Sequence, residues 1–485
     1  MSMGAGLPDS PRLTRPTPAP APGIVHLGPG AFFRAFNAVY TDEAIAAAGG
    51  DWGIIAVSLR SPTARDQLAP QGGAYTSVTL SETGMEPQVI GAIREVLVAP
   101  EDPGAVLAAM SDPAIRIVSL TITEKGYCHA PSSGALLPDH PDIQHDLAAP
   151  DAPRSAIGFI VSALARRRAA GHAPFTVLSC DNLPGNGALA RGVISDFARR
   201  RDPDLANWIA ETVRFPATMV DRITPATTPE RVAALAEITG YHDPACVFHE
   251  DFRQWVIEDD FTAGRPRWDL AGAQFVANVD AHETMKLRCL NGTHSALAYL
   301  GYLAGHDTIS AAVADPVMAR FVRHLWEAEI LPTVPRPEGE DLPAYCASLM
   351  ARYRDPSIRH LTWQIAMDGS QKLPQRLLGT IRDRRAVGQT PEGLCLAVAA
   401  WMRYVGGRDE TGAEIDVRDP LAEALRAASE GATSPEETVD ALLGFEAIFG
   451  TDLPADAGFR SALTLQYERL LSLGASGAVA VLLGQ

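Results

Sequence analysis

Lys286, Asn291 and His294, in the stretch MKLRCLNGTHS, are the residues of this chain whose types and spacing best suit catalysis. A lysine that loses solvent takes a lower pKa and can exchange a proton with a hydroxyl near neutral pH. An amide and an imidazole beside it can donate hydrogen bonds to an oxygen on which charge develops. On an α-helix, at 100° per residue, Asn291 and His294 lie about 140° and about 80° around from Lys286, so the three share one half of the helix. The segment is otherwise apolar (Met285, Leu290, Leu297, Leu300), which makes a lysine at its start costly unless it faces a cleft or a partner. The same spacing also fits a surface lysine with two satisfied core polar groups.

Two further constellations suit binding. Gly28-Pro29-Gly30 follows the apolar run IVHL and precedes a helical pattern. A glycine turn there lets the backbone approach a pyrophosphate at a helix N-terminus. The motif is incomplete, because Phe33 holds the third glycine position and no acidic residue closes the second strand at Ser58. Asp181 and Asn182 after FTVLSC, and Asp221 with Arg222 in TMVDRITP, stand just past strand ends, where open α/β sheets bind ligands. Ordinary turn chemistry would place the same residues there. The triplets Arg166 to Arg168 and Arg199 to Arg201 fit solvated helix ends favoured by the macrodipole.

The elements that must position these residues alternate at first. IVHL, IIAVS (54–58), AYTSVTL (74–80), IRIVSLTIT (115–123) and FTVLSC (175–180) are rich in β-branched residues and strand-like. Between them, one helical pattern runs from AFFRAFNAVY through residue 50, and another from Ser155 to Gly171 repeats Ile157, Ile160, Val161 and Leu164 at i, i+3, i+4, i+7. Thr228, Pro229 and Gly240 punctuate a third helix, at 229–239. Alternation of this kind predicts a parallel sheet covered on both faces. QFVANV (274–279) is the last strand pattern, and beyond it helical patterns dominate, one opened by the capping box SPEE at 434–437. The expected organisation is a flexible Pro-rich tail over 1–22, a Rossmann-type α/β domain over 23–280 and a mainly α-helical domain over 281–485.

Composition narrows the function. A formal charge of −17 argues against a nucleic-acid partner, since phosphate binding needs a basic surface. The 46% hydrophobic and 20% charged content is that of a globular protein. The six cysteines form no CxxC pair and no zinc-ligand spacing, so neither a metal nor a disulfide framework is expected. Residues 1–23 lack an apolar signal core, and no apolar run is long enough to span a bilayer, so a cytoplasmic, membrane-free protein is expected.

Taken together, SLTITEKGYC, SCDNLPGNG, FPATMVDRITPAT, FRQWVIEDDF, MKLRCLNGTHS and WQIAMDGSQKLPQRLL resemble the long-chain mannitol dehydrogenase family in order and spacing over nearly the whole chain. The family pattern KxxxxNxxH falls on Lys286, Asn291 and His294. The resemblance implies that Lys286 is the general acid/base, with Asn291 and His294 orienting the reacting oxygen and Glu283 relaying protons. It implies that Asn182 and Asp221 line the substrate and that Gly28, Gly30, Ala31, Phe32 and Arg34 meet the cofactor. That cofactor is NAD by resemblance, with no metal; Arg60 after the second strand is a feature that would suit NADP. TEKGYC, LNGTHSALAYLGYL and IAMDGSQKLPQRLL look like the fructuronate reductase branch, whose reaction takes D-fructuronate and NADH to D-mannonate and NAD. Lys372, and secondarily Lys125, would then hold the substrate carboxylate. One departure stands out: GPGAFFRAFNA carries Phe33 and Phe36 where the family usually has histidines.

The rival readings are a polyol 2-dehydrogenase acting on mannitol or arabinitol, and a non-catalytic nucleotide-binding protein. The expected partner is a small sugar acid or polyol. No sequence stripe announces an interface, and the resemblance is compatible with a monomer.

Overall fold

The computed structural model describes residues 10–130 and 133–485 and divides into two compact units, 1–280 and 281–485. The N-terminal unit is built on five parallel strands: β1 Pro22–Leu27, β2 Gly53–Ser58, β3 Ile93–Val98, β4 Ile117–Leu120 and β5 Thr176–Ser179. Their order is β3-β2-β1-β4-β5, the doubly wound Rossmann arrangement, so the chain reverses its direction of winding between β1 and β4. β1 and β4 are buried almost throughout, which is why they read as continuous apolar runs.

Several expectations need correcting. β3 went unpredicted because it is an edge strand whose Arg94 and Glu95 interrupt the apolar pattern. Tyr75–Ser81 does not enter the parallel sheet. It forms a hairpin with Gly84–Ile90 and pairs in parallel with Val247–Glu250. Thr218–Asp221 likewise lies in a separate three-stranded sheet, antiparallel to Gln254–Glu258. The helical run after Gly30 is two helices, Ala31–Ala35 and Asn37–Ala48, broken at Phe36 (φ −132°, ψ −84°). Arg222 ties down the Ala35 carbonyl at this break (2.6 Å).

The expected flexible tail is also corrected over its described part. Leu13 is buried and its amide donates to the His242 carbonyl (3.0 Å), while Arg15 donates to the carbonyls of Gly72, Gly91 and Ile93. These arginine bonds consume carbonyls that a sheet edge leaves over, and they lay residues 11–22 along the unit. Residues 1–9 lie outside the described residues. Within the basic triplets, Arg167 is buried and donates to the carbonyls of Met110, Asp112 and Ala173, so it closes a core rather than decorating a helix end.

The C-terminal unit is helical, and none of the strands assembled into sheets falls within it. Glu392–Val405 is apolar on nearly every side and runs through its core beside Thr293–Leu303 and Ala457–Leu482. Of the expected capping box one half forms: Ser434 Oγ accepts from the Glu437 amide (3.2 Å), while the Glu437 carboxylate reaches one residue further back and accepts from the Thr433 amide (2.8 Å). Three segments of this unit are wound as π-helix, at Lys286–Gly292, Leu325–Ile330 and Pro374–Leu378. No helix among the described residues is long and apolar enough to cross a membrane.

Candidate active site

In the N-terminal unit the site residues gather at the carboxyl ends of β1, β4 and β5. Gly28 turns with φ +93°, and its amide donates to the Val57 carbonyl (3.0 Å). A Cβ at this position would sit 2.2 Å from the Thr121 carbonyl oxygen, so both its conformation and its surroundings demand glycine. Gly30 differs: a Cβ there would meet nothing nearer than 4.0 Å. Its missing side chain therefore leaves open space outside the turn, the room a pyrophosphate would use. Beneath the turn, His26 bridges β1 to β4. Its Nδ1 is 2.8 Å from Ser119 Oγ, and its Nε2 is 2.9 Å from Thr121 Oγ1 and 3.2 Å from the Gly28 carbonyl. Burial pushes His26 down to about 3, so the ring is neutral at working pH.

Phe33 and Phe36 both point inward. Phe33 stacks on the His26 ring (centroids 3.5 Å apart, 10° between planes), and Phe36 packs among Phe32, Tyr40 and Trp255. Their departure from the family pattern is thus a change in packing beneath the turn. Ala31 and Phe32 follow the turn and are half-buried. Arg34 donates to the Ala245 carbonyl (2.9 Å) and so braces the turn from the side. The exposed Arg60 is ion-paired with Asp142 (3.1 Å).

The residues after β5 divide their roles. Asp181 is buried and accepts from the amides of Ile122 (3.1 Å) and Thr123 (2.8 Å) and from Tyr127 Oη (2.8 Å). It clamps the loop after β4, where Thr123 (φ +63°) and Cys128 (φ +48°) hold conformations rare outside glycine. Lys125 stands exposed on the single turn Glu124–Tyr127 within that loop. Asn182 is exposed at the strand end, whereas Asp221 is buried at the end of its own strand. Asn186, which the sequence reading passed over, joins the two strands: its amide nitrogen donates to the carbonyls of Asp181 (3.0 Å) and Thr218 (2.8 Å), and its oxygen accepts from the Thr218 amide (3.0 Å).

In the C-terminal unit, Glu283 lies in Asp280–Met285, Lys286 opens the first π segment, Asn291 lies within it, and His294 is the second residue of the α-helix Thr293–Leu303. This corrects the 100° wheel. With i→i+5 bonding the segment holds more residues per turn than an α-helix, so Lys286 and Asn291 lie closer in angle than the wheel gives them. Two backbone carbonyls of this turn are taken up by side chains: Cys289 O accepts from Thr293 Oγ1 (2.6 Å) and Trp326 Nε1 (2.9 Å), and Leu290 O from Tyr353 Oη (3.0 Å). Gly292 lets the third π segment approach, since a Cβ there would lie 2.8 Å from the Arg376 carbonyl oxygen.

Lys286 is buried. His294 is buried with its Nε2 unpartnered among the described residues. Its ring stacks on Tyr353 (5.1 Å) and meets His360 edge-on (4.6 Å). Burial first, then the nearby His360, Arg376, Arg352 and Lys372, hold its pKa well below the usual imidazole value, so it is neutral. Lys372 donates to the carbonyls of Met367 (2.5 Å) and Ile365 (3.4 Å), and burial, with Arg376 adding to it, pulls it down to about 8. Arg376 donates to Ser295 Oγ (3.2 Å). Of this cationic surround only Lys372 is expected from the sequence. Arg376, four residues on in SQKLPQR, was the one findable addition; Arg352 and His360 come from segments with no motif of their own. Among the described residues no group of three His, Cys, Asp or Glu side chains could hold a metal.

Residues 22–270 match the mannitol dehydrogenase Rossmann domain and residues 278–471 the mannitol dehydrogenase C-terminal domain. The chain is 49% identical to a D-mannonate oxidoreductase of Escherichia coli over 467 residues, covering 95% of both chains. It is 42% identical to a mannitol 2-dehydrogenase of Aspergillus terreus over 457 residues, covering 92% of this chain and 90% of that one. A solved ternary complex of Pseudomonas fluorescens mannitol 2-dehydrogenase with NAD and D-mannitol superposes with a TM-score of 0.84 at 39% identity, covering 96% of this chain and 95% of that one.

Proposed function

The chain belongs to the mannitol dehydrogenase family, and from that premise we propose that it is the family's hexuronate enzyme, reducing D-fructuronate to D-mannonate with NADH. At the coarser level it is an NAD-dependent secondary-alcohol oxidoreductase acting on a sugar acid or polyol. The observation that carries the finer reading is the setting of His294: a neutral imidazole with an unpartnered Nε2, surrounded by Arg352, Lys372 and Arg376. Such positive charge in a buried site favours a substrate that brings a carboxylate.

NAD supplies or accepts the hydride when bound. The open space at Gly30 and the positive-φ turn at Gly28 fit its pyrophosphate. Lys286 would protonate the carbonyl oxygen during reduction and deprotonate the hydroxyl during oxidation. Asn291, one π turn along from it, and His294 would donate to that same oxygen, the neutral ring polarising it without adding charge. Glu283, on the turn before the lysine, would pass the proton to solvent. By family resemblance Asn182 and Asp221 would hold substrate hydroxyls. Lys372 is the proposed carboxylate partner, with Lys125 second; the exposure of Lys125 weakens its case. The polyol reading keeps support from the mannitol 2-dehydrogenases at 39–42% identity.

The test is NADH oxidation by the purified protein against D-fructuronate, D-tagaturonate and D-fructose, repeated with Lys286→Ala. Turnover confined to a uronate and reduced about 10²–10⁴-fold in the variant is the expected result. Preference for fructose would move the protein to the polyol branch and remove the role given to Lys372. Full activity of Lys286→Ala would remove the lysine from the chemistry.

A further inference from the structure

Away from Lys286 and His294, the C-terminal unit holds a groove of about 500 Å³ bounded by helices Ile309–Ala314, Pro316–His324 and Leu342–Arg354. Three guanidinium groups line it, those of Arg320, Arg323 and Arg354, together with Ser310 and the apolar Val313 and Pro316. Arg320 and Arg323 are neighbours on one helix surface, three residues apart, and Arg354 ends another helix.

What distinguishes these arginines is that they share one groove without a counter-charge; Arg336 and Arg359 also make no ion pair or hydrogen bond among the described residues, but neither lines the groove. Elsewhere in the same unit Arg382, Arg385, Arg418, Arg426 and Arg460 each pair with a carboxylate. Arg320, Arg323 and Arg354 make no ion pair or hydrogen bond among the described residues, and no carboxylate lines the groove. The adjacent acids are engaged elsewhere: Asp315 Oδ1 accepts from the Val317 amide and Asp355 Oδ1 from the Ser357 amide, both at 2.8 Å. In a chain of net charge −17 with a surplus of acids to draw on, three like charges facing one cavity without a counter-charge are unexpected.

We propose that this groove binds a small phosphate-bearing molecule. Guanidinium forks match phosphate oxygens in bidentate fashion, and three of them exceed what a single carboxylate needs. The volume falls within the range of about 300–1,000 Å³ typical of small-molecule pockets, and Val313 and Pro316 offer an apolar flank to a carbon skeleton. A polynucleotide does not suit a protein of this net charge.

The experiment is calorimetric titration of the full-length protein, saturated with NADH so that the dinucleotide turn is filled, in about 0.15 M salt to screen diffuse attraction. Glucose 6-phosphate and inorganic phosphate are titrated in parallel. Saturable one-site binding, weakened at least about tenfold by Arg320→Gln and by Arg354→Gln and unchanged by Arg199→Gln, is expected, each lost fork removing a charge-assisted contact. Tighter binding of the sugar phosphate identifies an organic phosphate as the ligand class, and equal binding identifies free phosphate. No saturable binding, or binding unaltered in both groove variants, overturns the proposal. Since all three arginines are exposed, the substitutions should leave the fold intact, which circular dichroism verifies.

Discussion

At Gly28 the backbone reaches its binding geometry by omitting a side chain, and at Lys286 by widening the helix. The first device is local: a positive φ, a 2.2 Å approach that only glycine survives, and a neutral histidine beneath. The second is distributed. The π turn carrying Lys286 and Asn291 has carbonyls bonded by Trp326 and Tyr353 and lies against a second π turn through Gly292. The two regions differ in charge as well. The glycine turn rests on a histidine that stays neutral in the working range, while the lysine site is crowded with groups that titrate or carry permanent charge. One region should therefore respond to substitution by losing cofactor, and the other by losing rate and acquiring pH dependence.

The largest effect that would test this division is at Gly28. Gly28→Ala must strain φ and displace the Thr121 carbonyl, at about 1–3 kcal/mol for the conformation alone, and should raise KM for NADH about 10- to 100-fold. The pH dependence of kcat should not move; if it does, the two regions are not separable. Next in size is pH itself. Lys372 is charged below about 8 and loses its proton above, so KM for a keto-acid should rise roughly fivefold between pH 8 and 9. KM for fructose and for NADH should stay level; parallel rises in all three would point to a different titrating group. Tyr353→Phe leaves the Leu290 carbonyl short of a donor at a cost of about 1 kcal/mol, and should lower kcat several-fold with KM for NADH unchanged. The smallest effect is expected from Phe33→His, which changes the partner of the His26 stack. NADH binding should shift less than about threefold, while the melting temperature falls by a few degrees, because a buried imidazole brings polar nitrogens where Phe33 has none. A tenfold loss of NADH affinity would return residue 33 to the cofactor side of the turn.

How much of this was readable in the sequence follows the same divide. Strands β1, β2, β4 and β5 were legible because burial on both faces writes continuous apolar runs, and the turn at Gly28 because the glycine stands between a strand and a helix pattern. The cap at Thr228, Pro229 and Gly240 was legible for the same local reason. β3 was not, since an edge strand tolerates Arg94 and Glu95. The destination of Tyr75–Ser81 was not, because its hairpin partner Gly84–Ile90 lacks a buried pattern of its own. At the site, residue types pointed to Lys286, Asn291 and His294, but the angle between them was misread, since a helical wheel presumes the α period. Arg352 and His360 reach His294 from segments far apart in sequence, a convergence that only tertiary packing expresses.

The π turn also bears on which changes of length the segment can absorb. Lysine and asparagine stand five apart on it, and a single deletion at Leu287 or Arg288 would leave them four apart, a spacing that the α period keeps on one face. The carbonyls of Cys289 and Leu290, which now take donors from Trp326 and Tyr353, would then bond within the helix and leave those two side chains without their acceptors. A shortened segment would therefore keep the proposed site residues in order while giving up the cross-links that tie them to the neighbouring helices.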